Sequence, residues 1–159
     1  MVAALGPLNR RDDVAVGLGI RSEAIERLVS DLTGLENMPY VSSVGANLGY
    51  VLGGDFRTWS LPESTPAEIY QQAIRGFEVL RPFMSMERAS DAFLAVPAAA
   101  ANPSANYVMV AIELLRGRRE PLAAQLQAAE KVYCRRDDEV CADFRAFEAR
   151  ARARFPQSM

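Results

Sequence analysis

Glu113 is the acidic side chain in this sequence with the clearest potential for chemistry, because it interrupts the otherwise apolar run 107–115. A buried, ionised carboxylate needs a partner, and Arg116, three residues later, lies on the same face of a helix. We therefore interpret Glu113 and Arg116 as a structural ion pair. The alternative is a small-ligand or enzyme site that uses Glu113, or Ser43 and Asn47, in a pocket between sheet and helices.

Histidine is absent from the chain. It is the side chain that most often acts as a general base near neutral pH, activates a serine or cysteine nucleophile, or binds a transition metal. Enzymes can use tuned Glu, Asp, Lys or Tyr side chains instead, so catalysis is not excluded. The composition nevertheless favours a binding protein, and we predict no catalytic residue, no metal site and no cofactor.

Cys134 and Cys141 are the only two cysteines, and their spacing is not that of a zinc site. The sulfurs could meet as a disulfide if the residues between them form a turn between helices.

The opening MVAALGPLNRRDD places its apolar patch before its charges, the reverse of a secretory signal. No run approaches the roughly 18 apolar residues of a membrane span. We therefore predict a cytoplasmic protein with reduced structural thiols and no membrane partner.

Two patterns resemble binding motifs but are incomplete. Gly17, Gly19 and Ser22 lie between a predicted strand and a predicted helix, where a dinucleotide site has its glycines, but the third glycine and the acidic ribose contact are missing. We interpret these small residues as sites of close packing. The arginines clustered at 116–119 and 150–154 are interpreted as solvated helix ends, so no nucleic-acid partner is predicted.

Charge is unevenly distributed along the chain, although the net charge is only −2. Residues 22–80 contain eight acidic and three basic residues, whereas residues 116–159 contain seven acidic and ten basic residues. The acidic part favours a basic partner. Its candidate contact residues are three carboxylates that would steer and pair with basic groups and one tryptophan that would anchor the contact, namely Asp55, Glu63, Glu68 and Trp59.

Residues 13–61 are predicted to be rich in strands. DDVAVGLGI alternates apolar and small residues and predicts a strand. Ser22 is placed to cap a following helix that ends at Gly34. Residues 40–52 and 56–61 alternate again, and Gly53, Gly54 and Asp55 between them predict the turn of an antiparallel hairpin.

Residues 65–156 are predicted to be helical. Thr65, Pro66 and Glu68 form a capping box at the start of a helix that Pro82 stops. A shorter helix follows Ser85, 98–106 is a loop whose alanines could extend a helical turn, and 107–115 pairs with a helix that begins near Pro121. A last helix spans about 138–155. The predicted inward-facing positions are Ile25, Leu28, Val29, Leu32, Ile69, Ala73, Phe77, Leu80, Ala89, Ala92, Phe93, Val96, Leu122, Leu126, Ala129, Val132, Tyr133, Val140, Phe144, Phe147 and Ala151.

Strands first and helices afterwards indicate an α+β fold. We expect N-terminal antiparallel strands with one helix, followed by about four helices packed on the sheet. A length of 159 residues is that of one domain, and we predict a single domain over residues 1–159.

Several landmarks follow one another between residues 13 and 156: ANLGYVLGG with FRTWSL, a capped helix ending in LRPFM, NPSANYVMVAIELLRGRREP, and a charged final helix ending in FRAFEARARARFPQ. Their order resembles that of small uncharacterised bacterial α+β proteins, many of which look like immunity proteins encoded beside polymorphic or secreted toxins. The resemblance implies a non-enzymatic inhibitor that blocks a cognate toxin by direct contact. We therefore expect a protein partner, a basic toxin; a homodimer that buries the apolar helices is a further hypothesis.

Overall fold

The computed structural model describes residues 2–7 (backbone only), 13–37, 42–60, 63–85, 88–102 and 104–155. In chain order its elements are strand β1 (Val2–Pro7), strand β2 (Asp13–Ile20), helix α1 (Glu23–Thr33), strand β3 (Val44–Asn47), helix α2 (Leu48–Val51), strand β4 (Thr58–Ser60), helix α3 (Pro66–Leu80), a 3₁₀ turn (Arg81–Phe83), and helices α4 (Asp91–Ala95), α5 (Pro97–Ala100), α6 (Ala105–Leu115), α7 (Arg119–Tyr133) and α8 (Glu139–Arg154). These residues form two compact units, 1–22 with 39–102 and 23–38 with 103–159.

The first unit is built on a four-stranded antiparallel sheet with β2 at its centre. One edge of β2 pairs with β1, a strand that the sequence analysis did not predict. The other edge pairs with β3 along residues 17–20 and with β4 along residues 13–15. Val16 and Leu18 of β2 are buried, which agrees with the predicted apolar face of this strand.

The predicted hairpin between residues 40–52 and 56–61 is wrong. β3 and β4 do not pair with each other; both run antiparallel to β2 and follow one another along the same edge. Residues 48–57 leave that edge between them, and we call this segment the excursion. It contains α2, where Leu48, Gly49 and Val51 are buried. Burial of these neighbouring residues is incompatible with the strict alternation of a half-buried strand.

α3 begins at the predicted capping box: Glu68 N–H donates to the Thr65 hydroxyl, and the Thr65 N–H donates to the Glu68 carboxylate. Leu80 is buried, whereas Ile69, Ala73 and Phe77 of the predicted stripe are only half-buried. Gly76, which the stripe did not include, is buried in their place. A Cβ at Gly76 would meet side-chain atoms of Leu48 and Leu18, so the missing side chain lets α3 approach the sheet closely.

The short helices α4 and α5 complete the first unit. Ala89, Ala92, Phe93 and Val96 are buried as predicted. The alanines after Pro97 form α5 rather than a loop, because proline suits the first turn of a helix and alanine favours helical geometry.

The second unit consists of α1, α6, α7 and α8. Gly34 at the end of α1 has φ +77°, as expected for a glycine that terminates a helix. Arg150 donates to the Leu32 carbonyl at 2.7 Å, and Arg154 pairs with Asp31 at 3.1 Å. The buried core is formed by Leu32, Val110, Leu122, Leu126, Ala129, Phe144, Phe147 and Ala151.

Two predicted inward positions of this unit are wrong. Val132 and Val140 are 45% and 52% exposed. Cys141 occupies the buried position at the start of α8.

Cys141 is bonded to Cys134 at the end of α7. The expectation of reduced thiols is therefore also wrong. Residues 135–138 turn the chain between the two helices, and this turn brings the sulfurs together.

The α+β class is confirmed. The single-domain assignment stays a prediction. The predicted strand-rich and helical parts do not coincide with the two compact units, because α1 belongs with the C-terminal helices and α3, α4 and α5 belong with the sheet.

Candidate functional site

Trp59, the proposed anchor of a partner contact, is 4% exposed and belongs to the core of the first unit. The Arg57 guanidinium lies over its ring, 5.2 Å from the ring centre. A tryptophan covered in this way supplies core packing and a cation–π contact. It has almost no surface left for a partner.

The three proposed carboxylates are exposed but do not share one role. Asp55 lies within the excursion, and Glu63 lies in the turn before α3. Glu68 is occupied by the capping box, where the Thr65 backbone N–H and hydroxyl donate to it at 2.7 and 3.0 Å. These hydrogen bonds lower the pKa of Glu68. Asp55 and Glu63 are therefore the better candidates for pairing with a basic group.

Asn47 holds the two ends of the excursion together. Its carboxamide oxygen accepts from the Gly49 N–H at 2.9 Å and the Arg57 N–H at 2.8 Å, and its amide nitrogen donates to the Arg57 carbonyl at 2.9 Å. One side chain thus makes three hydrogen bonds, and two of them reach ten residues along the sequence. Asn47 was a candidate only in the alternative hypothesis of a small-ligand pocket, and these contacts give it a structural role.

Gly49 is the second residue that fixes the excursion. A Cβ at this position would overlap the Asp55 carbonyl oxygen and would lie 2.8 Å from Arg57 Cβ and 3.0 Å from Arg57 N. Two segments of backbone can approach so closely only because residue 49 has no side chain.

The excursion presents two aromatic rings to solvent. Phe56 is 53% exposed and Tyr50 is 36% exposed, and their rings meet edge to face with centres 6.1 Å apart. Neither residue was among the predicted contact residues. A signal was available for Phe56: in an alternating segment that buries Trp59, residues 56 and 58 lie on the opposite face.

A shallow groove of about 480 Å³ lies beside the exposed ring of Phe56. It combines two arginines, one aspartate, apolar groups and backbone, and is lined by Gly49, Leu52, Gly54, Asp55, Phe56, Arg57, Gln72 and Arg75. The groove is therefore of mixed charge rather than acidic.

Glu113, the candidate for buried chemistry, is 2% exposed and is bound by Arg118. Arg118 Nε and Nη2 reach the two carboxylate oxygens at 2.6 and 2.5 Å. The prediction of a structural ion pair is confirmed, but Arg116 as its partner is wrong. α6 ends at Leu115 and Gly117 adopts φ +65°, so the chain turns and brings residue 118 back to the carboxylate.

Ser43, the other candidate for a small-ligand pocket, is buried and accepts a hydrogen bond from the Ser22 N–H at 3.0 Å. Gly19 and Gly45 both lie close to Ser42. A Cβ at either position would overlap the hydroxyl oxygen of Ser42. The contact at Gly19 agrees with its interpretation as a site of close packing.

No three His, Cys, Asp or Glu side chains in the described part of the chain are grouped to hold a metal ion. None of the helices within the described ranges is long and apolar enough to cross a membrane.

Comparison of the chain with family models, curated protein sequences and solved structures found no match.

Proposed function

We propose that the protein is a non-enzymatic binding protein that recognises another protein through the excursion. Its most concrete form is an immunity protein that neutralises a cognate bacterial toxin by direct contact. The proposal rests chiefly on one observation: the exposed rings of Tyr50 and Phe56 stand on a backbone that Asn47 and Gly49 hold in place.

Exposed aromatic side chains are frequent anchors of protein interfaces, because they bury a large area and lose little conformational freedom. A backbone that is already fixed before binding reduces the entropic cost of forming the complex. The excursion supplies both features. Phe56 replaces Trp59 as the anchor in this proposal, since Trp59 is buried.

Exposed charges of the first unit set the chemistry of the partner. Asp55 and Glu63 are exposed and would steer and pair with basic groups of a toxin. Arg57 and Arg75 line the groove and would meet acidic groups or carbonyl oxygens. A partner whose surface combines a protruding apolar side chain with charges of both signs fits this surface better than a partner with a uniformly basic surface.

The cytoplasm is the compartment that we propose, as part of the immunity function. Disulfides are rare in the cytosol, so the bond between Cys134 and Cys141 counts against this part of the proposal. Blocking free thiols at the moment of cell lysis, followed by mass measurement, tests the compartment directly. Two blocked thiols would support the cytoplasm, whereas an unblocked, bonded pair would contradict it.

The functional test uses the product of the adjacent open reading frame. Co-expression of the two proteins should restore growth if that product is toxic, and the two should co-purify. Phe56→Ala should weaken both effects, whereas Tyr70→Ala, at an exposed ring of α3, should leave them unchanged. Equal protection and equal co-purification by the two variants would contradict the excursion as the binding surface, and a neighbour that neither binds nor harms the cell would contradict the immunity function.

A further inference from the structure

The second unit contains a pocket of about 200 Å³ between α7 and α8. Its described lining consists of two arginines and four apolar residues, namely Arg119, Leu122, Ala123, Leu126, Arg152 and Phe155. We propose that this pocket binds a small monocarboxylate with an apolar ring or chain. The pocket belongs to a different unit from the excursion, so this proposal does not depend on the proposed function.

The floor of the pocket is apolar and fixed. Leu122 and Leu126 are 4% and 1% exposed and also belong to the core of this unit. Ala123 adds only a methyl group, which leaves room above the floor. The ring of Phe155 provides one wall. An apolar ligand group would bury its own surface here and cover that of the floor.

The rim of the pocket is cationic. The Arg119 guanidinium lies over the Phe155 ring, 5.5 Å from its centre, and forms no ion pair with the residues that the structure describes. Arg152 is held by Glu148 through Nε and Nη2, at 2.9 and 2.6 Å. No acidic residue is among the described lining residues. Guanidinium groups present paired N–H donors that match a carboxylate, and their partial desolvation beside an aromatic ring strengthens the contact.

The volume of the pocket matches a small molecule. A cavity of about 150 Å³ accommodates benzene, so 200 Å³ holds one ring with a carboxylate attached. Benzoate and phenylacetate are the matching probes. Their rings would lie on Leu122 and Leu126 beside Phe155, and their carboxylates would meet Arg119 and Arg152.

Titration of the full chain with benzoate and phenylacetate, followed by ligand-observed NMR and calorimetry, tests the proposal. The acids should bind at least tenfold more tightly than benzamide, the neutral analogue. Arg119→Gln should weaken binding at least tenfold because it removes a cation that has no acidic partner among the described residues, and Ala123→Phe should abolish binding because it fills the pocket. Arg145→Gln, also on α8 but outside the pocket, is the matched control and should bind like the unmodified chain.

Each outcome decides the proposal. Tighter binding of the acids that is lost in both pocket variants supports it. Equal binding of benzoate and benzamide, or an Arg119→Gln variant that binds like Arg145→Gln, overturns it. Absence of binding to the unmodified chain up to about 10 mM also overturns it, since an affinity weaker than that does not define a specific site.

Discussion

Among single residues, the contact between Glu113 and Arg118 shows most clearly how far sequence reasoning extends. The apolar run 107–115 is sufficient to predict that Glu113 is buried and paired. The identity of the partner depends on how the chain turns after α6, and the positive φ of Gly117 decides it. A helical spacing rule cannot describe a contact that forms across a turn.

Arg118→Ala should lower the free energy of unfolding by about 2–3 kcal/mol, because it leaves a buried carboxylate without a partner. The expected loss is at or just below the low end of the losses measured when one partner of a buried ion pair is removed. It is small because the Arg118 side chain is 40% exposed, so water can partly replace its guanidinium group beside Glu113. Urea denaturation measures the change.

The double variant Glu113→Met with Arg118→Ala should recover most of that loss, because an apolar residue needs no partner in the same space. Arg116→Ala is the matched control for the originally predicted pair and should cost less than Arg118→Ala. Equal losses in Arg116→Ala and Arg118→Ala would contradict the observed pairing.

Tyr107 makes the stability of the folded protein depend on pH in the alkaline range. Burial, with smaller contributions from Tyr133 and Asp143, raises the pKa of Tyr107 from 10.0 to about 12. The folded state therefore favours the neutral phenol, and the associated stability is complete below pH 10 and is lost as the pH rises towards 12. Burial also raises the pKa of Tyr133, so both rings contribute in the same direction.

Tyr107→Phe keeps the ring contacts with Phe147 and Tyr133 but removes the titrating hydroxyl. The free energy of unfolding, measured from about pH 8 to about pH 11, should fall less steeply in this variant than in the unmodified chain. Tyr70→Phe, at an exposed ring, should follow the unmodified chain. A parallel decline in all three proteins would show that Tyr107 does not titrate as described.

Among elements, the excursion marks the limit of pattern reasoning. The two segments that flank it do form strands, and the turn signals at Gly53 and Gly54 coincide with an actual turn. The pairing was wrong because both strands bind the same edge of β2. Side-chain alternation reports which face is buried and contains no information about which strand is the neighbour.

Gly49→Ala should disrupt the excursion, because the new methyl group would overlap the Asp55 carbonyl oxygen and only backbone movement can relieve the overlap. The expected loss of stability is about 1–3 kcal/mol, with faster hydrogen exchange at the Arg57 amide. Gly54→Ala is the matched control in the same segment, since its nearest contact would be an ordinary 3.6 Å. Equal stability of the two variants would show that the close approach at Gly49 is not required.

The bond between Cys134 and Cys141 closes a short loop between α7 and α8. A loop of this length contributes about 2–3 kcal/mol when it restricts the unfolded chain. Reduction with dithiothreitol should lower the urea midpoint by a corresponding amount, and the double variant Cys134→Ala with Cys141→Ala should not respond to the reductant. Two reactive thiols in the air-purified, denatured and unreduced protein would contradict the bond.

At the level of the whole molecule, composition and element order were sufficient for the α+β class. They were not sufficient for the grouping of elements. α1 follows β2 directly in sequence, yet it packs with α6 and α8 in the second unit. Its apolar stripe is correctly predicted at Ile25 and Leu32, but a stripe specifies that a helix face is buried and not which partner buries it.

The candidate site was predicted less well than the fold. Asp55 and Glu63 are exposed as a partner contact requires, whereas Trp59 is buried and Glu68 is occupied as a helix cap. Burial of a lone tryptophan depends on the pairing of β4 with β2, which alternation alone could not supply. In the proposed contact, the exposed Phe56 therefore takes the place of Trp59.

The most direct test of the account is the affinity of the adjacent gene product for the unmodified chain, Phe56→Ala and Tyr70→Ala, measured by titration calorimetry. Phe56→Ala should weaken binding at least tenfold, the loss of about 1.4 kcal/mol that marks an interface anchor, and Tyr70→Ala should bind like the unmodified chain. Full affinity in Phe56→Ala would show that the excursion is not the surface through which this protein recognises its partner.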